Sequence, residues 1–409
     1  MAELKYWIWL AEKRGISLPN RYALIDYFGS PEKVYFTRED DLKKFDFDCS
    51  PILDKSMAPV NKIIGDCEEK YIDIITCADG VYPHRLKQIY DPPMVLYVKG
   101  RLPLIDEEAA ITVVGTRACT SYGVMMSERF GYEIARGGGL VITGLARGID
   151  SAAAKGALRA GGKVIGVLGN GIDVVYPKFN EDLYESVIHC GCLISEFPPG
   201  TPPEGKNFPI RNRIMSGLAV GVLVIEAPEL SGALITARRA VDQGRDVFVL
   251  PGSPDSRASI GSNNLIREGA TPVFEGKDVL EEYLLKFPQK LGRPKKIYEL
   301  DDYGKKRLID EELPKKDETN KNKHKPEKKA VDKPDSEDYI EISVAPEELN
   351  PEETAIIKSM NEPNIHIDTI IERTGLPAED VMAAMTMMEL SGYVTQNAGK
   401  RYTAHIKIS

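Results

Sequence analysis

The chain has 409 residues, of which 42% are hydrophobic, and it carries 53 basic against 62 acidic side chains, a formal net charge of -9. This length and composition allow two or three domains with hydrophobic cores, which excludes a wholly disordered protein. The acidic balance excludes a chain that is basic throughout, such as a histone, although a local basic patch is enough to bind nucleic acid.

No apolar run approaches the length of a membrane span, and the N-terminal residues lack the apolar core of a signal peptide. The six cysteines form no CxxC pair, so we expect free thiols in a reducing compartment. Cys190-Gly191-Cys192 could supply metal ligands, but no second pair of ligands accompanies it. We therefore expect a cytoplasmic protein that holds no metal.

Residues 1–70 are predicted to form a domain of short helices. Apolar residues recur at helical spacing from Leu4 to Leu10 and from Tyr22 to Phe28, and glycine, serine and proline interrupt them. This pattern is typical of a helix-hairpin-helix or SAM-like module. Such modules sometimes hold phosphates, but the acidic residues around Glu39 favour a docking or dimer role at least as much.

Residues 71–290 are predicted to form an extended Rossmann-like domain. A connector ends in a strand at Met94–Val98, and apolar segments then alternate with helical ones, including Met125–Ala135 and Asp150–Leu158. This alternation predicts an α/β fold with a doubly wound, mostly parallel sheet, in which ligands bind at the carboxyl ends of the strands. The predicted strands are Ile111–Val114, Leu140–Thr143, Val164–Leu168, Cys192–Ile194, Val220–Ile225 and Val247–Leu250.

Residues 291–348 are predicted to be a flexible charged linker. Between Pro314 and Asp338 there are eight lysines and seven acidic residues, and the only apolar residues are Ala330 and Val331. A segment of this composition cannot bury a core.

Residues 349–409 are predicted to form a winged-helix domain, a variant of the helix-turn-helix. The third predicted helix carries no Lys or Arg between Glu379 and Glu389, so we expect it to contact protein rather than read duplex DNA. Asp368 is predicted to cap the second helix. The predicted elements are helices at Glu352–Met360, Asp368–Thr374 and Ala378–Ser391, followed by strands at Gly392–Val394 and Tyr402–Ile406.

Two motifs that follow predicted strands indicate phosphate binding. Gly115-Thr116-Arg117 offers one glycine and one positive charge, which suits a single phosphate better than the dinucleotide that a GxGxxG loop holds. By itself this motif could be an ordinary turn. In Gly144–Asp150 the glycines leave room for a ligand, Asp150 is predicted to cap the next helix, and Arg147 either contacts phosphate or is solvated.

The most specific cluster is a lysine followed by an aromatic residue and by two arginines that flank an asparagine. The arginines can clamp a phosphate or a base, and the ring offers a face for base stacking. Alternatively, the ring belongs to the core and the arginines pair with Glu226, or one arginine is paired and the other free. We expect this cluster to meet the Gly115 motif at one edge of the sheet. Its members are Lys206, Phe208, Arg211, Asn212 and Arg213.

The chain contains no GxxxxGK[ST] loop, no GxSxG elbow and no HExxH motif, and no nucleophile–base pair can be nominated. We therefore predict a binding protein without catalytic residues and without a cofactor.

Taken together, these motifs resemble the DNA-processing protein A family, also called DprA or Smf. They occur in order between about Tyr82 and Ala270, and the flanking helical and winged-helix segments also fit. The matching motifs are GTR at 115–117, SYG at 121–123, GLARGID at 144–150, YP at 176–177 with Asn180, SE at 195–196, FPIRNRI at 208–214, SGALITA at 231–237 and PG at 251–252. Thr143 and Ala154 depart from the family pattern, which usually has Ser and His.

The resemblance implies a bacterial protein that binds single-stranded DNA, protects incoming strands during natural transformation and helps to load the RecA recombinase. It also implies a homodimer and a positively charged pocket. This pocket corresponds to the Gly115 motif and the cluster from Lys206 to Arg213, and we add Arg147 from the Gly144–Asp150 motif. The predicted DNA-binding residues are therefore Gly115, Thr116, Arg117, Arg147, Lys206, Phe208, Arg211, Asn212 and Arg213.

The main alternative is an enzyme of the nucleoside-monophosphate phosphoribohydrolase class, whose Rossmann-like domain is distantly similar. Such enzymes carry a PGGxGTxxE signature, whereas this chain reads SGALITARR from Ser231 and has Arg239 in the position of the catalytic Glu. Without that acid, hydrolysis lacks its general base. A third alternative is a scaffold that only joins proteins, for which the arginines are incidental.

Overall fold

The computed structural model describes residues 3–291, 297–300, 306–309, 342–344, 351–360, 365–390, 394–397, 401–404 and 406–408. The chain divides into two compact units, Met1–Pro314 and Lys315–Ser409. The predicted N-terminal helical domain and the predicted Rossmann-like domain therefore lie within one compact unit.

The N-terminal region is helical, as predicted. The hydroxyl groups of Ser17 and Ser30 cap two of its helices by accepting hydrogen bonds from the backbone N–H groups of Asn20 and Lys33. Trp9 is almost completely buried in its core. The helices are α1 Leu4–Ala11, α2 Leu18–Phe28, α3 Pro31–Phe36, α4 Glu39–Leu42 and α5 Ala58–Glu69.

A nine-stranded sheet forms the centre of this unit. Its strands are β1 Asp73–Thr76, β2 Val95–Gly100, β3 Ala110–Val114, β4 Leu140–Thr143, β5 Val164–Leu168, β6 Cys192–Ser195, β7 Gly221–Val224, β8 Asp246–Val249 and β9 Thr271–Pro272. The order across the sheet is β1-β2-β6-β5-β4-β3-β7-β8-β9. Strand β2 is antiparallel to both neighbours, and the other pairs are parallel. The mostly parallel sheet is therefore confirmed, with each predicted strand placed to within two residues.

Helices cover both faces of the sheet, so its strands are buried on both sides. Alternate residues of β3 enter opposite cores: Ile111 and Val113 face one core, and Ala110 and Val114 face the other. The helices are α6 His84–Lys87, α7 Ser121–Arg136, α8 Ile149–Arg159, α9 Glu181–Cys190, α10 Asn207–Leu218, α11 Gly232–Asp242, α12 Ile260–Arg267 and α13 Gly276–Glu281.

The direction in which strands are added to the sheet reverses at β3. The next strand in sequence, β4, lies on one side of β3, and β7 lies on the other side. The connections that leave the carboxyl ends of β3 and β7 therefore diverge and open a crevice, which is where open α/β sheets bind ligands.

Part of the predicted linker, residues 291–348, is folded into strands. Strands β10 Ile297–Leu300 and β11 Lys306–Ile309 form an antiparallel pair, and a third short strand is β12 Ile342–Val344. The linker prediction depended on the composition of Pro314–Asp338, which lies outside the described residues.

The C-terminal unit has the predicted winged-helix architecture. Its core contains Ile370, Val381 and Met385. The cap of α15 differs from the prediction, because His366 Nδ1 accepts the hydrogen bond from the Asp368 backbone N–H at 3.3 Å. The elements are α14 Pro351–Ser359, β13 Ile365–His366, α15 Ile367–Thr374, α16 Ala378–Leu390, β14 Val394–Asn397, β15 Arg401–Ala404 and β16 Ile406–Ile408, with sheet order β13-β15-β14 and with β16 parallel to β12.

The six cysteines are free, and the two of the Cys-Gly-Cys segment differ in exposure: Cys190 is exposed and Cys192 is buried. In the part of the chain that the structure describes, no group of three or more His, Cys, Asp or Glu side chains could hold a metal ion. Across the same described ranges, no helix has both the length and the apolar character needed to cross a bilayer.

Candidate nucleic-acid interface

A pocket of about 460 Å³ lies at the carboxyl ends of β3, β4 and β7, at the point where the strand order reverses. The loops after these strands form its floor and one side, and the first two turns of α10 form another side. We call it the switch-point pocket. Its lining includes Gly115–Ala118 after β3, Ala146 and Asp150 after β4, Pro228 and Leu230–Ala233 after β7, and Phe208, Arg211, Asn212 and Met215 on α10.

The two predicted motifs meet in this pocket. Six of the nine predicted residues line it: Gly115, Thr116, Arg117, Phe208, Arg211 and Asn212. The fold brings them together because one motif follows β3 and the other begins α10, whose first turns lie beside the same edge of the sheet.

Phe208 is half-buried, and two cations lie close to its ring. The guanidinium carbon of Arg117 is 5.0 Å from the centre of its ring, and that of Arg211 is 5.8 Å away. The ring of Tyr176 lies 5.7 Å from it, tilted by 41°. Gly169 makes room for the ring, since a Cβ there would be 3.0 Å from a Phe208 ring carbon. An aromatic face beside positive charge is what successive bases and phosphates of a single strand require.

Arg117 is exposed and forms no salt bridge within the described residues. Its backbone is fixed from two directions. The Thr116 N–H donates to the Glu226 carbonyl at 2.7 Å, and the loop after β4 packs against Thr116 at Gly148, which has a φ of +85°. A Cβ at Gly148 would lie 2.6 Å from the Thr116 carbonyl oxygen, so this contact requires glycine. The side chain of Arg117 thus extends from a rigid turn and remains available to an anion.

Arg211 and Asp150 form the charged floor of the pocket. Arg211 is 3% exposed, and its Nη1 donates to the carbonyl oxygens of Gly144, at 3.0 Å, and Val167. Burial lowers the pKa of Arg211 and raises the pKa of Asp150, and their mutual attraction opposes both shifts. Arg211 therefore ties α10 to the carboxyl ends of β4 and β5.

The predicted cap at Asp150 is wrong. The N-cap of α8 is Gly148, which makes no side-chain capping bond. Asp150 Oδ2 instead accepts a hydrogen bond from the Gly144 N–H at 3.1 Å. The carboxylate thus bonds to the loop after β4 rather than to the end of α8.

Asn212 uses both ends of its amide within the protein. Its Oδ1 accepts from Arg211 Nε at 3.2 Å, and its Nδ2 donates to the Gly232 carbonyl at 3.4 Å. These bonds fix the orientation of the amide between Arg211 and the start of α11.

Arg213 does not reach the switch-point pocket. It is 4% exposed, its Nη2 lies 2.7 Å from both carboxylate oxygens of Glu196, and its Nε lies 3.2 Å from Asp91 Oδ2. Glu226 pairs with neither arginine, since it accepts from the Thr120 N–H at 2.9 Å and from the Thr120 hydroxyl at 2.6 Å. The predicted clamp is thus divided, with a different set of partners for each arginine.

The other two predicted residues also lie outside this pocket. Arg147 is exposed on the loop after β4, next to the lining residue Ala146. Lys206 is exposed and pairs with Glu204 at 2.6 Å. Lys206 and Arg213 line a second cavity of about 880 Å³ between the N-terminal helices and the sheet domain, which we call the interdomain cleft.

The predicted DNA-binding residues do not include Tyr176 or the N-terminus of α11. The ring of Tyr176 lies beside that of Phe208 in a tilted arrangement, and Ser231–Ala233, where α11 begins, line the pocket. Both could have been found, because each belongs to a segment that follows a predicted strand. The departure at Ala154 lies in the core, fully buried and outside the pocket lining. Thr143 keeps a hydroxyl that donates to the Asp150 carbonyl at 3.2 Å.

Known proteins resemble this chain along most of its length. The family model for DNA recombination-mediator protein A matches residues 73–284, and the model for the DprA winged helix domain matches residues 343–400. Protein Smf from Synechocystis sp. is 32% identical over 412 residues, which cover 98% of each chain. DNA processing protein DprA from Streptococcus pneumoniae is 45% identical over 207 residues, 50% of this chain and 72% of that relative. The X-ray structure of DNA processing protein A (DprA) from Streptococcus pneumoniae superposes with a TM-score of 0.59 and 35% identity, covering 68% of this chain and 97% of that one.

Proposed function

Because this chain belongs to the DNA recombination-mediator protein A family, also known as DprA or Smf, we propose that it binds single-stranded DNA and protects it during DNA processing and natural transformation. The strand occupies the switch-point pocket. Binding does not depend on sequence, since it uses ring stacking and phosphate contacts rather than hydrogen bonds to base edges.

The observation that carries this proposal is the position of the Phe208 ring within about 6 Å of both Arg117 and Arg211. A base that stacks on the exposed part of the ring brings its flanking phosphates toward Arg117, which has no competing salt bridge among the described residues. The positive charge of Arg211, which is buried and held in place by hydrogen bonds, also attracts the phosphates from a distance. A duplex, whose bases are already stacked on each other, cannot use the ring in this way.

The pocket supports binding rather than catalysis. Its carboxylate, Asp150, is fully buried and accepts the Gly144 N–H, and Glu226 nearby holds Thr120. Neither carboxylate is free to activate water as a general base. Arg239 lies in the interdomain cleft and supplies no acid to the pocket, so no observation favours the phosphoribohydrolase alternative.

We also propose that the protein acts in the cytoplasm as a homodimer and helps to load a RecA-type recombinase on the strand that it holds. These partners are the ones that the resemblance to the DprA/Smf family implies, and the chain belongs to that family. The winged helix is the part that we assign to protein contacts, because its third helix, α16, has no Lys or Arg between Glu379 and Glu389.

The Phe208→Leu and Arg117→Ala variants test the pocket. Stacking on an aromatic ring contributes about 1–3 kcal/mol per base, so Phe208→Leu should raise the Kd for oligothymidylate roughly 5- to 150-fold. Arg117→Ala should weaken binding and reduce the slope of log K against log salt by about 0.7, the effect of one lost phosphate contact on a single strand. Fluorescence anisotropy titrations at several salt concentrations measure both effects.

Arg159→Ala is the matched control. Arg159 is also exposed, with a surface salt bridge to Glu128, but it lies at the end of α8 away from the pocket. We expect the Arg159→Ala variant to bind oligothymidylate with the Kd of the wild type and to melt at the same temperature. Unchanged affinity in both pocket variants would remove the assignment, and release of free base from nucleoside monophosphates would support the hydrolase instead.

A further inference from the structure

The interdomain cleft lies between the N-terminal helical region and the sheet domain of the same compact unit. One wall comes from the end of α1 and the start of α2, with Glu12, Arg14 and Arg21. The opposite wall comes from the loop after β6, from α10 and from Arg239 of α11. The two predicted cations that are absent from the switch-point pocket, Lys206 and Arg213, line this cleft.

The cleft adjoins the switch-point pocket. Helix α10 separates the two cavities, and Pro209 in its first turn borders both of them. Helix α11 also spans them, with Ile235 and Thr236 in the pocket and Arg239, one turn further along, in the cleft. A strand that leaves the pocket over Pro209 therefore enters the cleft directly.

Most of the acidic groups in the cleft are bonded to cations. Arg213 holds Glu196 and Asp91, and Lys206 pairs with Glu204. Glu12 is mostly buried beside Arg21, and that burial raises the pKa of its carboxyl group. Each of these pairs lies within one of the two domains, and together they leave little net charge in the cleft.

Two further cations in the cleft remain available. Arg14 and Arg239 are exposed, and within the described residues neither forms a salt bridge. Arg14 comes from the N-terminal helical region and Arg239 from the sheet domain, so each domain contributes one of these cations to the lining of the cleft. Flexible exposed guanidinium groups on two walls suit the phosphates of one strand that passes between them.

We propose that the single strand held in the switch-point pocket continues over Pro209 into the interdomain cleft, where Arg14 and Arg239 contact its phosphates. The N-terminal helical region is then part of the DNA interface as well as a neighbour of the sheet domain. This inference rests on the proposed function, since it extends the path of the same strand.

The test uses the full-length protein with two oligothymidylates, one of about 6 nucleotides, near the lower end of the usual site size of about 4–16 nucleotides, and one of about 20, beyond its upper end. The wild type should bind the longer strand more tightly and with a steeper salt dependence. Arg14→Ala and Arg239→Ala should each lower affinity for the longer strand several-fold and reduce its salt slope by about 0.7. Their affinity for the shorter strand should equal that of the wild type.

Arg238→Ala and Arg38→Ala are the matched controls. Arg238 precedes Arg239 on α11 but lines a groove elsewhere on the sheet domain, and Arg38 is exposed in the N-terminal region and lines neither cavity. Both controls should behave as the wild type does, whereas Arg14→Lys should recover part of the loss. If the wild type binds neither oligonucleotide, the proposed function fails. If the wild type binds both and Arg14→Ala and Arg239→Ala match it on the longer strand, this inference is overturned.

Discussion

Arg211 and Arg213 show how much the role of a residue depends on its partners. Each residue of an α-helix advances by about 100°, so side chains two positions apart point in nearly opposite directions. Phe208, Arg211, Asn212 and Met215, spaced by three and four residues, form the face of α10 toward the switch-point pocket. Asn207, Ile210 and Arg213 form the face toward the interdomain cleft. Helical periodicity alone therefore argues against one clamp made from both arginines.

Replacing Arg213 should affect folding more than DNA binding. Arg213→Met leaves the carboxylates of Glu196 and Asp91 without their cation, and removing one partner of such a pair should lower the free energy of unfolding by roughly 2–4 kcal/mol. The estimate is near the lower part of the usual range because both carboxylates keep some contact with water. Urea unfolding followed by circular dichroism measures the loss.

The variants at Arg213 and Arg117 should thus have opposite effects. We expect Arg213→Met, at a temperature where it is folded, to bind oligothymidylate as the wild type does, while Arg117→Ala loses affinity without losing stability. Adding Glu196→Gln to Arg213→Met should recover part of the stability, since it removes one of the unpaired charges. A stable Arg213→Met protein with weak DNA binding would instead place Arg213 in the interface.

At the scale of elements, the close packing of α7 on α8 sets the positions of the pocket loops. Each of these helices begins at a loop that follows a strand of the switch point, after β3 and after β4. Glycines allow the two helices to approach closely, because a Cβ at Gly156 would overlap the Glu128 carbonyl and one at Gly131 would overlap the Ala153 carbonyl. The same approach presses Gly148 and Ile149 against the turn that carries Arg117.

A pair of glycine substitutions separates this packing from helix propensity. Gly156→Ala should lower the free energy of unfolding by about 1–3 kcal/mol, because neither backbone can move away from the added methyl group. Gly65 of α5 is exposed and has no atom within 4 Å of the position of a Cβ, so Gly65→Ala should raise stability by about 1 kcal/mol. Chemical denaturation compares the two, and a stabilised Gly156→Ala protein would contradict the packing argument.

At the scale of the whole molecule, both cavities belong to one compact unit. The residues that line the switch-point pocket run from Val114 to Thr236, and those that line the interdomain cleft run from Ala11 to Arg239, all within Met1–Pro314. The winged helix lies in the other unit, Lys315–Ser409. The core of the winged helix, which includes Ile370, Val381 and Met385, is formed by residues of that unit.

Removal of Lys315–Ser409 should therefore leave single-strand binding intact. We expect a gel-shift titration with oligothymidylate to give the same midpoint for the shortened and full-length proteins, because every residue assigned to the strand remains. With duplex DNA we expect weak binding in both, since α16 lacks cations between Glu379 and Glu389. Duplex binding that disappears with Lys315–Ser409 would show that the winged helix reads DNA after all.

The sequence alone determined strands β2 to β8 of the nine-stranded sheet and the edge of the sheet at which the site lies, but it did not predict β1 or β9. Val164–Leu168 and Leu140–Thr143 were placed at their observed bounds because buried parallel strands are short, continuous apolar runs between glycine-rich turns. Since parallel strands end at a common edge, the same pattern predicted that Gly115–Arg117 and Phe208 would meet.

Only the tertiary structure decided which positive charges are free. Arg213 is neutralised by Glu196, 17 residues away, and by Asp91 on the connector, while Arg211 is buried against carbonyl oxygens and Arg117 is left exposed. It also brought the N-terminal helices against the sheet domain, so that Arg14 and Arg239 line the same cleft. Secondary structure follows from residues close together in the chain, whereas ion pairing and desolvation depend on groups that only folding brings within a few ångströms.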